Sequence, residues 1–72
     1  MRTIFKLKTR GRAIVSEKDY RNVIFIPPNA MVTLLGGDID EDPFVKIRYE
    51  GKALMMLAED LRSGGELWGK VA

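Results

Sequence analysis

Residues 44–61 constrain the fold more than any other part of the chain. They read Phe-Val-Lys-Ile-Arg-Tyr, then Glu-Gly, then Lys-Ala-Leu-Met-Met-Leu, and finally Ala-Glu-Asp-Leu. Alternation of apolar and charged residues is typical of a strand with one buried face, and a short loop ending in glycine indicates a tight turn. The stretch therefore predicts a β-hairpin that runs directly into one short helical turn of the 3₁₀ type near residues 58–62.

The register of this hairpin has two solutions. If Glu50 and Gly51 alone form the loop, Ile47 faces Leu54 on the neighbouring strand. If a type I turn is followed by Gly51 in a left-handed bulge position, Ile47 faces Ala53 instead. Glycine in the last loop position favours the second solution, because Glu50 in a two-residue primed turn would need a positive φ. The second strand is apolar on both faces, so its pattern does not choose between them.

The N-terminal segment predicts a further strand region. Residues 3–10 place Phe5 and Leu7 on one face and basic side chains on the other, which is the pattern of a strand with one buried face. Gly11 marks a bend or bulge. We therefore expect residues 3–15 to form either one long bent strand or two short ones.

Turn residues separate the other short strands. Pro28 fixes the φ of a second turn position and Asn29 tolerates a left-handed third position, so residues 27–30 predict a type II turn. The remaining predicted segments are strands at 23–26 and 31–35, an acidic loop at 38–43, and a closing strand or a tail at 66–72.

Together these elements predict the fold class. Five to six short antiparallel strands, tight turns and one helical turn before the last strand indicate an all-β protein that forms a small closed barrel. A chain of 72 residues is close to the lower size limit for a self-sustaining core, so we expect one domain, residues 1–72, with residues 1–12 as a basic N-terminal strand.

Three segments share a pattern that is known from another group of proteins. They are Ile-Pro-Pro-Asn-Ala-Met-Val at 26–32, Val-Lys-Ile-Arg-Tyr-Glu-Gly-Lys at 45–52 and Ala-Glu-Asp-Leu at 58–61. Over residues 26–66 the chain resembles the bacterial Src-homology-3-like (SH3-like) barrels. The resemblance implies an SH3-like barrel in which 45–52 is the distal hairpin and residues 1–12 are an extra strand or an arm.

The resemblance does not extend to a peptide-binding groove. Peptide-binding members of that superfamily carry a Trp at the start of the distal hairpin and a Tyr in the helical turn. Here the corresponding places hold Phe44 or Val45, and Leu61. A groove for proline-rich peptides is therefore not implied, and fold alone does not define function.

The composition argues against catalysis. The chain contains neither histidine nor cysteine, which removes the commonest general base, the commonest metal ligand, thiolate zinc sites and disulfides. The glycine pairs are not followed by the Lys-Ser/Thr of a phosphate-binding loop. We therefore expect a protein that is not an enzyme, with no catalytic residues and no cofactor.

One acidic segment has the beginning of a calcium-loop pattern. Asp38, Asp40 and Asp42 alternate as calcium ligands do. However, Pro43 occupies the sixth position, where glycine is needed, and Tyr49 the twelfth, where a bidentate Glu is needed. The pattern therefore predicts a solvated acidic loop and no metal site.

The location of the protein is predicted from apolar runs. The N-terminus alternates charged and apolar residues, and the longest apolar run covers only residues 54–58. Neither segment has the length of a membrane span or the apolar core of a signal peptide. We therefore expect a cytoplasmic protein without a membrane partner.

Basic residues are concentrated near the N-terminus. On a strand, their period-two spacing places successive side chains about 7 Å apart on one face, which suits the phosphates of a nucleic acid. The alternative is a solvated strand face or a charged sheet edge that prevents aggregation. The candidate polyanion patch consists of Lys6, Lys8, Arg10 and Arg12, extended by Lys46 and Arg48 from the hairpin.

The second hairpin strand offers more apolar surface than one side of a small barrel needs. Methionine commonly fills gaps in a core, but an exposed apolar strip indicates a protein interface. The candidate interface consists of Phe44, Met55, Met56 and Leu57. We therefore expect a small binding module for a protein partner, which can be a second copy of the chain. Nucleic-acid binding by the basic strand is the alternative, and a role as accessory subunit of a larger enzyme is a weaker one.

Overall fold

The computed structural model describes residues 2–16, 18 and 21–71, and it is mostly β structure with one short helix. All strand pairs are antiparallel, so the all-β class is confirmed. The elements are β1 Arg2–Leu7, β2 Gly11–Ile14, β3 Val23–Ile26, β4 Met31–Gly36, β5 Phe44–Tyr49, β6 Lys52–Leu57, α1 Ala58–Gly64 and β7 Gly65–Val71.

The described strands number seven, more than the five to six predicted, and form one sheet in the order β3-β2-β6-β5-β4-β1-β7. The sheet does not close on itself, because β3 and β7 are its edges. The first predicted strand region gives two strands, β1 and β2. The C-terminal segment is a strand rather than a tail, since β7 pairs with β1.

Four strands form a bent antiparallel ribbon with two arms, one made of β1 and β4 and the other of β2 and β3. β1 leads into β2 and β3 leads into β4, while β2 pairs with β3 and β1 with β4. At the bend, the Leu7 amide donates to the Ala30 carbonyl (2.9 Å) and the Asn29 amide donates to the Leu7 carbonyl (2.6 Å). The β5–β6 hairpin spans the two arms of the ribbon, with β5 on β4 and β6 on β2.

The predicted type II turn is present at this bend. Asn29 has a φ of 71°, the left-handed value expected at the third position. The Ala30 amide donates to the Pro27 carbonyl at 3.3 Å, which closes the turn.

The hairpin register differs from the favoured prediction. Ile47 pairs with Leu54 across a two-residue loop, and both loop residues have positive φ, 49° at Glu50 and 77° at Gly51. These angles are those of a type I′ turn, whose twist matches that of the strands it joins. The predicted glycine bulge was wrong, because that prediction considered only the local cost of a positive φ at Glu50. The observed register buries Ile47 and Leu54 on the same face.

The core lies between the inner face of the sheet and the helix. The helix is a seven-residue α-helix, longer than the single 3₁₀ turn predicted, and its Leu61 is buried in the core as expected. The Gly65 amide donates to the Leu61 carbonyl and ends the helix. The buried core residues are Phe5, Leu7, Ala13, Ile26, Val32, Val45, Ile47, Leu54, Met56, Ala58 and Leu61.

Candidate functional site

An apolar strip crosses the outer face of four strands. In the register of the sheet, Val23 on β3 lies opposite Ile14 on β2, and Ile14 lies opposite Met55 on β6. One row away, Leu57 lies opposite Phe44 on β5. Side chains alternate between faces along a strand, and on each of these strands a neighbour of the strip residue belongs to the core or packs against it. We call Ile14, Val23, Phe44, Met55 and Leu57 the hairpin strip.

The strip forms a shallow groove with uneven exposure. Val23 is 47% exposed, whereas Phe44, Met55 and Leu57 are partly buried. Ile14 is only 6% exposed although it lies outside the core cluster, so its outer-face neighbours cover it. A groove of about 200 Å³ is lined by Arg12, Ala13, Ile14, Val23, Phe44 and Leu57.

A second, larger groove lies on the other side of Met55. Its volume is about 490 Å³ and it combines apolar walls with two cations, Lys18 and Lys46. The other lining residues are Val15, Ser16, Ala53 and Leu54. Met55 therefore forms part of this groove, while Ile14 and Val23 from the same row line the smaller one.

The structure brings three of the four predicted interface residues to this outer face. Phe44, Met55 and Leu57 lie there together, but Met56 is fully buried in the core. Met56 lies opposite Ala13 on β2 and Val45 on β5, and both of these residues are buried. The inclusion of Met56 in the interface was wrong, because the two-residue turn directs it inward and Met55 outward.

The predicted basic patch loses Arg12 to an internal ion pair. The Arg12 amide and Nε both donate to Oδ2 of Asp60 at 2.9 Å, and Nη2 donates to Oδ1 at 2.8 Å. Through this hydrogen-bonded pair Arg12 holds the pKa of Asp60 below its ordinary value, and the same bonds raise the pKa of Arg12. Arg12 is thus a structural cation that fastens β2 to α1.

The remaining cations do not form one stripe. β1 ends at Leu7 and β2 begins at Gly11, so the chain lies outside the strands between these two residues. Lys8 and Arg10 are exposed on this connection. Lys46 and Arg48 lie on β5, which is separated from β1 by β4 and from β2 by β6. The prediction of four cations on one strand face was therefore wrong.

Two of these cations contact exposed aromatic rings. Lys6 Nζ lies 5.2 Å from the centroid of the Trp68 ring, and the Arg10 guanidinium carbon lies 4.3 Å from the centroid of Phe25. Trp68 is 60% exposed and Phe25 is 51% exposed. Trp68 was one of the aromatic residues that the sequence offered beside the basic strand, whereas Phe25 was not. The pairing of β7 with β1 and of β3 with β2 brings both rings to the basic segment.

Carboxylates of the acidic loop accept hydrogen bonds from backbone amides of the same loop. Oδ2 of Asp42 accepts from the Asp38 amide at 2.8 Å, and Oδ1 of Asp38 accepts from the Asp40 amide at 2.9 Å. Arg62 donates to the Ile39 carbonyl. Within residues 2–16, 18 and 21–71, no group of three or more metal-ligating side chains is arranged to hold an ion.

Comparisons with known proteins assign the chain to no family. No protein-family model matches the chain, and neither a curated protein nor a solved structure matches it. In the part of the chain described here, no helix has the length and apolar character needed to cross a bilayer.

Proposed function

We propose that this protein is a small, non-catalytic interaction module and that a second copy of the chain binds at the hairpin strip. One observation carries the proposal: the strip extends over four adjacent strands, and all five of its members are uncharged. An apolar face of this kind on a sheet is typical of a protein interface.

The chemistry of the strip favours a second copy as the partner. In a two-fold dimer the same patch meets itself, so any uncompensated charge in it would meet a like charge. The strip itself carries none, and Arg12, the cation in its smaller groove, is already paired with Asp60. The exposed Lys46 lies opposite Met55 at the edge of the strip, so it would lie at the rim of such a dimer. Oligomerisation is also a common way for domains of this size to supplement a small core.

The size of the chain sets the extent of such an interface. A standard interface removes about 800 Å² from each partner, roughly one sixth of the 4874 Å² that this chain exposes. Residues that flank the strip, such as the exposed Val15, would take part in an interface of that area.

The finer fold that we propose is an SH3-like barrel that is open on one side, where β3 and β7 are edge strands. Three features support it: the bent ribbon of β1–β2 and β3–β4, the hairpin β5–β6 that spans both arms, and the short helix before the last strand. An NMR structure in solution tests this assignment. Pairing of the hairpin with only one arm of the ribbon would overturn it.

Light scattering after size-exclusion chromatography tests self-association. Over a concentration series, we expect the wild type to reach twice the monomer mass of 8.1 kDa. Met55→Glu places a charge in the middle of the strip and should give a monomer. Met31→Glu is the matched control, because Met31 is 40% exposed on β4, away from the strip, and this variant should remain dimeric.

A second variant separates dimer loss from unfolding. Val23→Lys changes an exposed residue of the strip, so its circular dichroism spectrum should match that of the wild type while its mass falls to that of a monomer. A wild type that stays at 8.1 kDa at every concentration contradicts the proposal. A Met55→Glu or Val23→Lys protein that dimerises as well as Met31→Glu also contradicts it.

A further inference from the structure

The two cation–aromatic pairs beside the β1–β2 connection form a surface distinct from the hairpin strip. Lys6 with Trp68 lies at one end and Arg10 with Phe25 at the other, and the exposed Lys8 lies between them in the chain. Four residues of extended chain separate the Cα atoms of Lys6 and Arg10 by at most about 14 Å, so an oligonucleotide of several nucleotides can reach both pairs.

The geometry points to a binding site for single-stranded nucleic acid on this surface. Bases stack on aromatic rings and on the plane of an arginine side chain, and a basic groove follows the sugar–phosphate backbone. Here each exposed ring already has a cation in contact with it. The pairs therefore supply a stacking surface and a phosphate partner at the same position.

The exposed rings favour a single strand over a duplex. Bases inside a duplex are stacked on one another and do not present their faces to a protein side chain. The charges alone would suit any polyanion, but a ligand without bases gains nothing from Trp68 and Phe25. No ion pair neutralises Lys6, Lys8 or Arg10 among the residues described, so these charges remain available.

One acidic residue opposes the site. Glu66 on β7 lies directly opposite Lys6 in the register, and the two do not form an ion pair in the structure. Its carboxylate should repel a phosphate bound at Lys6. Removal of this charge by Glu66→Gln should therefore raise the affinity for nucleic acid, whereas an interaction with a neutral ligand would not respond.

The test measures binding of labelled oligothymidylate and oligouridylate by fluorescence anisotropy over a salt series. Trp68 is the single tryptophan of the chain, so stacking of a base on it should quench the intrinsic fluorescence of the wild type. Phe25→Ala and Trp68→Ala should each weaken binding about 5- to 150-fold, the range that corresponds to loss of one stacked base.

Charge variants provide the matched comparison. Lys6→Glu with Arg10→Glu should abolish binding, whereas Lys46→Glu with Lys52→Glu makes the same change in net charge on the hairpin and should retain most of it. Each phosphate contact that is lost should reduce the salt slope by about 0.7. Circular dichroism confirms that every variant is folded.

Several outcomes would overturn the inference. These are no measurable binding by the wild type, unchanged Trp68 fluorescence on binding, or full affinity in both Phe25→Ala and Trp68→Ala. Tighter binding to duplex DNA or to heparin than to either oligonucleotide would assign the surface to polyanions in general and would also reject it. Dimer-deficient Val23→Lys should still bind, which keeps this test separate from that of self-association.

Discussion

Arg12 on β2 and Asp60 on α1 form a hydrogen-bonded ion pair between residues that are 48 positions apart in the chain. Both the backbone amide and the guanidinium of Arg12 donate to the same carboxylate. Asp60 is well shielded, with 14% of its side chain exposed, whereas that of Arg12 is 52% exposed. The pair therefore connects α1 to β2 beside the core residues Ala13 and Leu61, and it contributes to the response of the protein to acid.

The first prediction concerns the pH dependence of stability. Hydrogen bonding to Arg12 lowers the pKa of Asp60 from its ordinary value of 3.8. A carboxylate with a lowered folded-state pKa stabilises the fold fully above its unfolded-state pKa, and this contribution is lost as the pH falls through the folded-state pKa. Asp60→Asn should therefore lower the urea midpoint at neutral pH. The difference from the wild type should shrink as the pH falls below about 4.

Glu59→Gln is the control for this experiment. Glu59 and Asp60 both lie in the first turn of α1, so each carboxylate also interacts with the amino end of the helix. The Glu59 variant reports that general effect together with the weaker attraction of Glu59 to Arg12, and the additional loss in Asp60→Asn reports the hydrogen-bonded pair. Equal losses in the two variants, or a difference that persists in strong acid, would contradict a specific role for Asp60.

The second prediction concerns the two adjacent methionines of β6. Met56 is fully buried and packs in the row of Ala13 and Val45, while Met55 lies on the outer face. Met56→Ala should lower the free energy of unfolding by about 2–5 kcal/mol, because it leaves a cavity in the core. Met55→Ala should cost no more than about 1 kcal/mol.

Urea denaturation of the two alanine variants at a concentration where the wild type is monomeric measures this difference. Peroxide oxidation followed by peptide mass mapping provides an independent check, with Met31 and Met55 oxidised well before Met56. Equal costs for the two alanine substitutions would mean that the register of the hairpin is not the one observed.

The hairpin shows how far the sequence determined the fold. The alternation at Val45 and Ile47 predicted a half-buried strand, and the structure buries both. Leu54 to Leu57 have no such alternation, so their local pattern left the register open. It is settled by burial over both strands together, which offsets the cost of a positive φ at Glu50.

The candidate surfaces depended even more on pairing that the sequence does not display. Phe25 lies 15 residues after Arg10, and Trp68 lies 62 residues after Lys6. Only the strand order places each ring beside its cation. In the same way, the ion pair that withdraws Arg12 from the basic patch joins distant segments. The types of residue in these surfaces were predictable, but their grouping was not.

The third prediction tests the type I′ turn. Glu50 has a φ of 49°, which disfavours most side chains, whereas asparagine tolerates this region and Asn-Gly is a preferred pair in such turns. Glu50→Asn should raise the free energy of unfolding by about 0.5–1 kcal/mol, part of the cost that a left-handed conformation imposes. Thermal unfolding monitored by circular dichroism measures the change.

Glu50→Gln is the matched control for the turn. It leaves the backbone preference unchanged but removes the charge of Glu50. Burial raises the pKa of Tyr49, and the neighbouring charge of Glu50 raises it further. Stabilisation by asparagine and not by glutamine assigns the effect to the backbone. If both variants are stabilised equally, the effect comes from the charge and the prediction is wrong.

The fourth prediction concerns the junction of the helix with the last strand. A Cβ added to Gly65 would lie 2.5 Å from the Leu61 carbonyl oxygen and 3.2 Å from Leu61 Cδ1. The carbonyl oxygen belongs to the backbone and accepts the amide hydrogen bond that ends α1, so it cannot move away without opening the end of the helix. Gly65→Ala should therefore lower the free energy of unfolding by about 1–3 kcal/mol, as over-packed sites do.

Gly69→Ala on the same strand separates this contact from a general effect of glycine replacement. No atom lies within 4 Å of a Cβ added at Gly69, so alanine there should change stability by less than about 0.5 kcal/mol. Urea midpoints of the two variants give the comparison directly. Because Leu61 is buried in the core and carries the carbonyl that Gly65 contacts, a large loss at Gly65 and none at Gly69 would mean that the last strand is positioned through Leu61. Equal losses would instead mean that β7 tolerates no side chain at either glycine, and the close approach to Leu61 would not be the cause.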